Sequence, residues 1–586
     1  MTAPPWLNTP HTLREYAMVA DGERGAIVGP RGDLVWMCFP HWDSPPLFSA
    51  LIGGGGTYAV SPAERHVWGG YYEPRSLIWR SRWATPDAIV ECRHALALPA
   101  RDGRVTILAR IHVHRGSCRL VAVLNPLSDG GRHGMQGLRH DDGGIWRASV
   151  GDLFLSWSGA DHARVVRDGR HHALHLDLSL LEGAEHDLLL EICADEPGTP
   201  PDAETTWRET EQTWHARVGD FSDTVAPRDA AHAYAVMSGM TSAAGGMVAA
   251  ATTSLPERAE EGRNYDYRYV WIRDQCYAGE AAARAGAFEL LDQSVRFVTA
   301  RLAEHGPQLR PAYTGRGGAV PDESSIDFEG YPGGTAVIGN RANRQFQLDA
   351  FGEILMLLAT AAQHDRLERD GWEAADLAAT VILDRCREPD AGIWELDPPR
   401  AWTHSRLICA AGLRALATRA NGRREAGGWL AAADAIVADA SRDALHPTGR
   451  WQRAPDDPRL DAALLLAGLR GAVPGDDPRS VATCIAVEHE LTDDLYCYRY
   501  QTDDRALGDA EGAFLLCGFW MALALDQQER PLQAARWFER NRAACGPPGL
   551  LSEEFDVRQR QLRGNLPQAF AHALLLECAA TIRLEP

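Results

Sequence analysis

The sequence predicts a β-plus-α protein: an N-terminal antiparallel β-sandwich, then an (α/α)6 barrel in which six helical hairpins close into a toroid. Three observations point there. The first 200 residues are short β-rich runs broken by turn chemistry, and after about residue 228 the chain is Ala/Leu-rich with a period near 3.6. The length, 586 residues, exceeds one ordinary domain.

Residues 1–200 contain "GAIVGPRGDLVWMCF", "GTYAVSP", "GIWRASVGDLFLSWSG" and "HHALHLDLSL", several of them alternating with period two. Their interruptions, "PRGD", "ARDGR" and "RDGR", are turn chemistry, so this part is predicted as a β-sandwich. Residues 201–227, beginning "PDAETTWRETEQTWHARVGDF", are polar, lack β-branched runs and have helical spacing; they predict a linker helix. Residues 228–586 hold roughly a dozen helical segments, among them "FQLDAFGEILMLLATAAQH" and "EGAFLLCGFWMALALDQQ". No strict repeat relates them, which favours a toroid over a solenoid of fixed period. The loops at one end of such a barrel form a pocket.

Composition narrows the ligand. With 59 basic against 80 acidic side chains, neither nucleic acid nor an anionic membrane is expected as a partner, and a neutral or cationic small molecule fits better. The 12 cysteines have no CxxC pair and no metal-ligand spacing, so they are expected as free thiols in a reducing compartment, without zinc. The stretch "MTAPPWLNTPHTLREY" has no signal-peptide pattern, and no run reaches the apolar length that spans a bilayer; a cytoplasmic placement is expected. Trp (18) outnumbers Phe (14), and its flat face stacks on sugar rings as well as on core neighbours. "GGGG" at 53–56 is a turn, since no GK[ST] follows it. Oligomeric state is not specified by anything in the chain.

Four loop segments set aromatic and charged residues beside helix ends: "NYDYRYVWIRDQ" (264–275), "AGIWELDPPRAWTHSR" (391–406), "DLYCYRYQTDD" (494–504) and "GLLSEEFD" (549–556). In the first, four rings flank Asp266, Arg268, Arg273 and Asp274. Buried charges need partners, and a polar ligand would account for them. Asp274 also suits a helix cap. Glu395 follows Trp394, and Glu553 and Glu554 precede Phe555. A carboxyl group against an aromatic wall is disfavoured in its charged form and can donate a proton near neutral pH, as a general acid must. "DSPPLF" (43–48) is expected as a turn that packs the sandwich on the barrel.

These motifs carry a resemblance. The chain resembles glycoside hydrolase family 15, whose members include glucoamylases, bacterial trehalases and isomaltose-releasing glucosidases. "ADGERGAIVGPRGDLVWMCFPHWDSPPLFSALIG" is similar to the opening of the trehalase-like N-terminal domain. There follow, in the family's order, "GGMVAAATTSLPE" with "RNYDYRYVWIRD", "GYPGGTAVIGNRANRQFQLDAFGE", "GIWEL…WTHSRLICAAGL", "YRYQTDD…GDAEGAFLLCGFW" and "LLSEEFD…LRGNLPQAFAHALL". The resemblance implies an inverting, exo-acting α-glucoside hydrolase with two glutamates and neither metal nor cofactor. Glu395 matches the general acid. Glu553 matches the general base in preference to Glu554, because the family's base is the first acidic residue of that motif. Inversion sets the two carboxyls roughly 6.5 to 9.5 Å apart, leaving room for water.

By the same resemblance Arg273 and Asp274 hold the hydroxyls of the terminal glucose, and Tyr267 lies near the reacting carbon. Trp271 and Trp394 stack or wall the pocket. His404, Arg406 and Arg499 serve the second sugar or orient the acid loop. Tyr265, Arg406 and the loop "AYTGRGG" (312–318) depart from the commoner family pattern where a second sugar would be read. Maltose-type and isomaltose-type glucosides therefore stay open beside the leading substrate, α,α-trehalose. A disaccharide phosphorylase and a non-catalytic sugar-binding protein are the rival classes.

Overall fold

The computed structural model describes residues 10–420, 422–502 and 504–583; the first nine residues of the N-terminal stretch and Asp503 of the 494–504 loop lie outside them. The N-terminal part is two antiparallel sheets that share one 22-residue strand, Arg104–Asn125. The first half of that strand pairs with Ala88–Leu96 and Glu185–Cys193, and the second half with Thr57–Pro62 and His171–Leu181. The changeover falls at Gly116, φ 79°, where a Cβ would sit 1.9 Å from the Asp87 carbonyl oxygen, so only glycine fits. Alternation then sends Leu120, Ala122 and Leu124 into the apolar layer that also holds Val90, Ile107 and Leu188. The strand Asp33–Cys38 is buried at every position. Its second face, with Trp36, joins the core of the helical domain, and Trp36 Nε1 donates to the Ala251 carbonyl oxygen at 2.9 Å.

Thirteen α-helices follow among the described residues: α1 (Ala203–Arg217), α2 (Pro227–Gly239), α3 (Ile272–Arg284), α4 (Phe288–His305), α5 (Asp349–Gln363), α6 (Arg369–Arg385), α7 (Thr403–Arg419), α8 (Ala426–Asp443), α9 (Leu466–Leu469), α10 (Pro478–Glu490), α11 (Leu515–Gln527), α12 (Pro531–Arg542) and α13 (Ala569–Thr581). Asp202 caps α1 by accepting from the Thr205 N–H at 2.8 Å. Trp207 and Trp214 of α1 are buried in the cluster shared by sheets and barrel, so this helix is packed on both domains.

The helices α3, α5, α7, α9, α11 and α13 form an inner ring, each touching the next, with α13 closing on α3. The helices α4, α6, α8, α12 and α2 pack outside α3, α5, α7, α11 and α13, and α10 packs on the turn Ala462–Leu465 that leads into α9. The inner helices α11 and α13 are apolar nearly all round, as burial on all sides requires. Close approach of α5 and α7 depends on glycine: a Cβ on Gly412 would lie 2.4 Å from the Gly352 carbonyl oxygen. Outer and inner helices alternate along the chain, so the inner ones run parallel and the loops that precede them gather at one end. No described helix is long and apolar enough to cross a membrane.

Candidate active site

That end of the barrel holds an open pocket of about 800 Å³. It is lined by Tyr267, Trp271, Arg273 and Asp274 at the start of α3, by Trp394 and Glu395 before α7, by Arg499 and Phe514 before α11, and by Glu553 and Phe570 at the approach to α13. Glu395 arrives on the loop ahead of α7, and Glu553 beside the start of α11, where its carbonyl oxygen accepts from the Leu515 N–H at 3.0 Å.

The loop 391–396 turns on an Asp390 carboxylate. Its Oδ1 accepts from the Gly392 N–H at 2.6 Å and from Ser405 Oγ at 3.0 Å. Glu395 sits at φ 58°, in the left-handed region that a non-glycine residue adopts only when its surroundings hold it there. They do: Trp271 Nε1 donates to Glu395 Oε1 at 2.6 Å and Gln347 Nε2 at 3.2 Å, and Arg273 stands 3.6 Å away. Trp394 is fixed by its own Nε1, which donates to Asp461 at 2.9 Å. Its indole therefore forms wall.

Glu553 lies just before the strand Glu554–Asp556, which pairs with Ala513–Phe514. Adjacent positions face opposite ways. Glu553 opens on the pocket and accepts from the Tyr267 hydroxyl at 3.0 Å, whereas Glu554 turns inward and accepts from the Gly512 N–H at 2.7 Å. Burial, then the like charge of Glu257, push the Glu553 carboxyl well above the ordinary range, against Arg499 and the Tyr267 hydrogen bond.

Arg273 donates to Gln347 Oε1 at 2.9 Å and to Asp349 Oδ2 at 3.0 Å, which aims its other nitrogen at Glu395. Asp274, in the first turn of α3 but not its N-cap, is pushed up to about 6 by burial, against Arg273. Arg499 is held by Glu511 at 2.8 Å and lies over the Phe514 ring at 4.6 Å.

Two expected substrate residues lie elsewhere. His404 and Arg406, on α7, do not line this pocket. His404 backs a smaller cavity behind the loop 391–396 with Trp402, Arg453 and Asp461, and burial lowers its ring to about 4, which keeps it neutral. Arg406 is turned outward to Asp443 of α8, at 3.0 Å. A second correction concerns "NYDYRY": Asp266 and Arg268 need no ligand. They pair with each other at 2.7 and 2.8 Å, and Arg268 NH1 donates to the Ser44 carbonyl oxygen of "DSPPLF" at 3.1 Å, which clamps sandwich to barrel. Glu257, Asn340, Arg341 and Gln568 line the pocket and escaped the sequence reading. The aromatic-plus-charge criterion passes over "SLPE" and "GNR".

A pocket at the mouth of a helical toroid, walled by aromatic rings and lined by the carboxyl groups of Glu257, Asp274, Glu395 and Glu553, suits a glycoside hydrolase with a carbohydrate substrate. The chain belongs to glycosyl hydrolases family 15, whose family profile matches residues 231–580, and a trehalase-like N-terminal profile matches residues 5–214. A trehalase of Mycobacterium tuberculosis is 29% identical, over 97% of this chain and 89% of its own length. Trehalase 1 of Sulfolobus acidocaldarius is 25% identical, over 96% of this chain and 98% of its own. Among solved structures, a bacterial glucoamylase complexed with acarbose covers 99% of this chain and 95% of its own with a TM-score of 0.72; at 12% identity this is a likeness of fold.

Proposed function

We propose that the chain hydrolyses α,α-trehalose with inversion at the attacked carbon. Glu395 protonates the bridging oxygen as its bond to C1 breaks, while Glu553 takes a proton from the water whose oxygen bonds to the opposite face of C1. The observation that carries this reading is that Glu395 and Glu553 line one pocket and are held there by separate aromatic donors, Glu395 by Trp271 and Glu553 by Tyr267. Arg273 and Asp274 hold the hydroxyls of the glucose that is attacked, donating and accepting respectively. Tyr267 and Trp271, whose rings meet edge-on at 5.5 Å, face the developing positive charge at C1. Trp394 and Arg499 border the second glucose. The relatives named trehalase, which match nearly end to end, support the substrate. The cysteines, all unpaired, support the expected cytoplasmic placement.

The test is a panel of trehalose, maltose, isomaltose, kojibiose and soluble starch, with the product anomers followed by NMR. Inverting hydrolysis of trehalose releases α- and β-glucose in equal amounts at first, whereas retention releases α-glucose alone. Preference for another member of the panel overturns the substrate assignment.

A further inference from the structure

Glu257 is a charged group of the pocket that this mechanism leaves without a task. It is 4% exposed, and its Oε2 is buried without a protein partner. Its N–H is pinned to the Arg263 carbonyl oxygen at 3.1 Å. Its side chain and that of Glu553 both border Gly564, φ 80°. A Cβ there would stand 3.6 Å from Glu257 Cγ and 3.8 Å from Glu553 Cβ. Glu257 Oε2 is thereby left open to a hydrogen bond from Glu553, one that can exist only when one of the two carries a proton. Arg263 and Arg499, both tied to Glu511 at 2.6 and 2.8 Å, supply positive charge to Glu257. Tyr265, Glu511, Glu554 and Asp274 are the other titratable groups that act on the pair, and Tyr267 donates to Glu553.

We propose that Glu257 is a positioning residue for the base: a second carboxyl group, faced by Arg263 and Arg499, that strengthens Glu553 as the acceptor of the water proton and then shares that proton with it. This rests on Glu553 being the base. Before attack both carboxylates are charged and repel. As the water oxygen bonds to C1, the proton it loses goes to Glu553, and the repulsion becomes a charge-assisted hydrogen bond from Glu553 to Glu257. Burial and then the charge of Glu257 raise Glu553, and burial and then the charge of Glu511 raise Glu257 against Arg499 and Arg263, so the pair takes up a proton above the ordinary carboxylate range. A base matched in this way to its working pH is the more effective one.

The experiment is the pH profile of kcat/KM for the wild type, Glu257→Gln and Glu257→Asp, on trehalose and on α-glucosyl fluoride, with thermal unfolding as the check on folding. The acidic limb reports protonation of the base. Removing the neighbouring carboxylate in Glu257→Gln should move that limb to lower pH by about one unit and lower the plateau kcat about 10-fold on both substrates. Glu257→Asp should keep the wild-type limb, and Glu257→Ala replaces the glutamine variant should that one fail to fold. An unmoved limb overturns the proposal, as does a rise in KM for trehalose alone, which would make Glu257 a contact of the second sugar. The assignment of Glu553 is read separately: Glu553→Ala should be inactive, and azide should restore turnover of the fluoride as β-glucosyl azide.

Discussion

The Tyr267 hydroxyl donates to Glu553 Oε2 at 3.0 Å, while the Tyr267 ring meets the Trp271 indole whose Nε1 holds Glu395 at 2.6 Å. One short segment ahead of α3 thus touches both Glu395 and Glu553. In Tyr267→Phe the base loses a donor that favours its charged form. The acidic limb of kcat/KM should therefore move to higher pH, opposite in sign to Glu257→Gln, with kcat down about 10-fold or more and KM little changed. A limb that stays in place would detach the hydroxyl from the base.

Glu395→Gln removes the proton that the leaving sugar oxygen needs. Hydrolysis of trehalose should fall by at least 1,000-fold, a loss of general-acid assistance. α-Glucosyl fluoride, whose leaving group needs little protonation, should keep a much larger share of its rate. Equal losses on the two substrates would mean that Glu395 does not act as the acid.

Arg268 and Asp266 are both buried, and their pair also ties the barrel to the backbone of Ser44. Arg268→Met leaves the Asp266 carboxylate uncompensated and should cost about 3 to 5 kcal/mol in denaturant unfolding. The double change with Asp266→Asn should recover part of that. A single variant as stable as the wild type would show the clamp to be dispensable.

Glu353 of α5 is fully buried without a hydrogen-bond partner for either carboxylate oxygen, and burial, then Glu280, push it up to about 8. A carboxyl group whose folded value is raised holds its proton in the native state at pH values where the unfolded chain has lost it. Its contribution to stability therefore declines as pH rises from about 4.5 toward 8. Glu353→Gln should flatten that decline, seen as a difference in Tm from the wild type that widens across this window. A constant difference would refute the linkage.

The pieces that the sequence made legible share a property: each carries its signal locally. The alternation of "LVAVL" marks a strand, the unbroken apolar turns of α11 and α13 mark inner helices, and "IWE", "SEEF" and "IRD" mark pocket loops through ordered resemblance. His404 and Arg406 belong to an equally distinctive motif, yet α7 turns them behind the loop 391–396 and toward Asp443. Asp266 and Arg268 looked like ligand groups because their partner in "DSPPLF" lies more than two hundred positions away. Glu257 closes the motif "GGMVAAATTSLPE", yet no aromatic residue stands next to it in the chain to single it out as a pocket group.

The sequence by itself determined the two kinds of secondary structure, through periodicity, and it led to the hydrolase family and to Glu395 and Glu553 through motifs that resemble the family's in their order. Tertiary structure alone decided which charges face the pocket and which face protein, that Glu553 opens on the pocket while Glu554 turns away, and that Glu257 and Glu553 both border Gly564. The physical reason is that a buried charge takes its role from whatever surrounds it in space, and ring closure of the barrel brings together loops that the chain holds far apart.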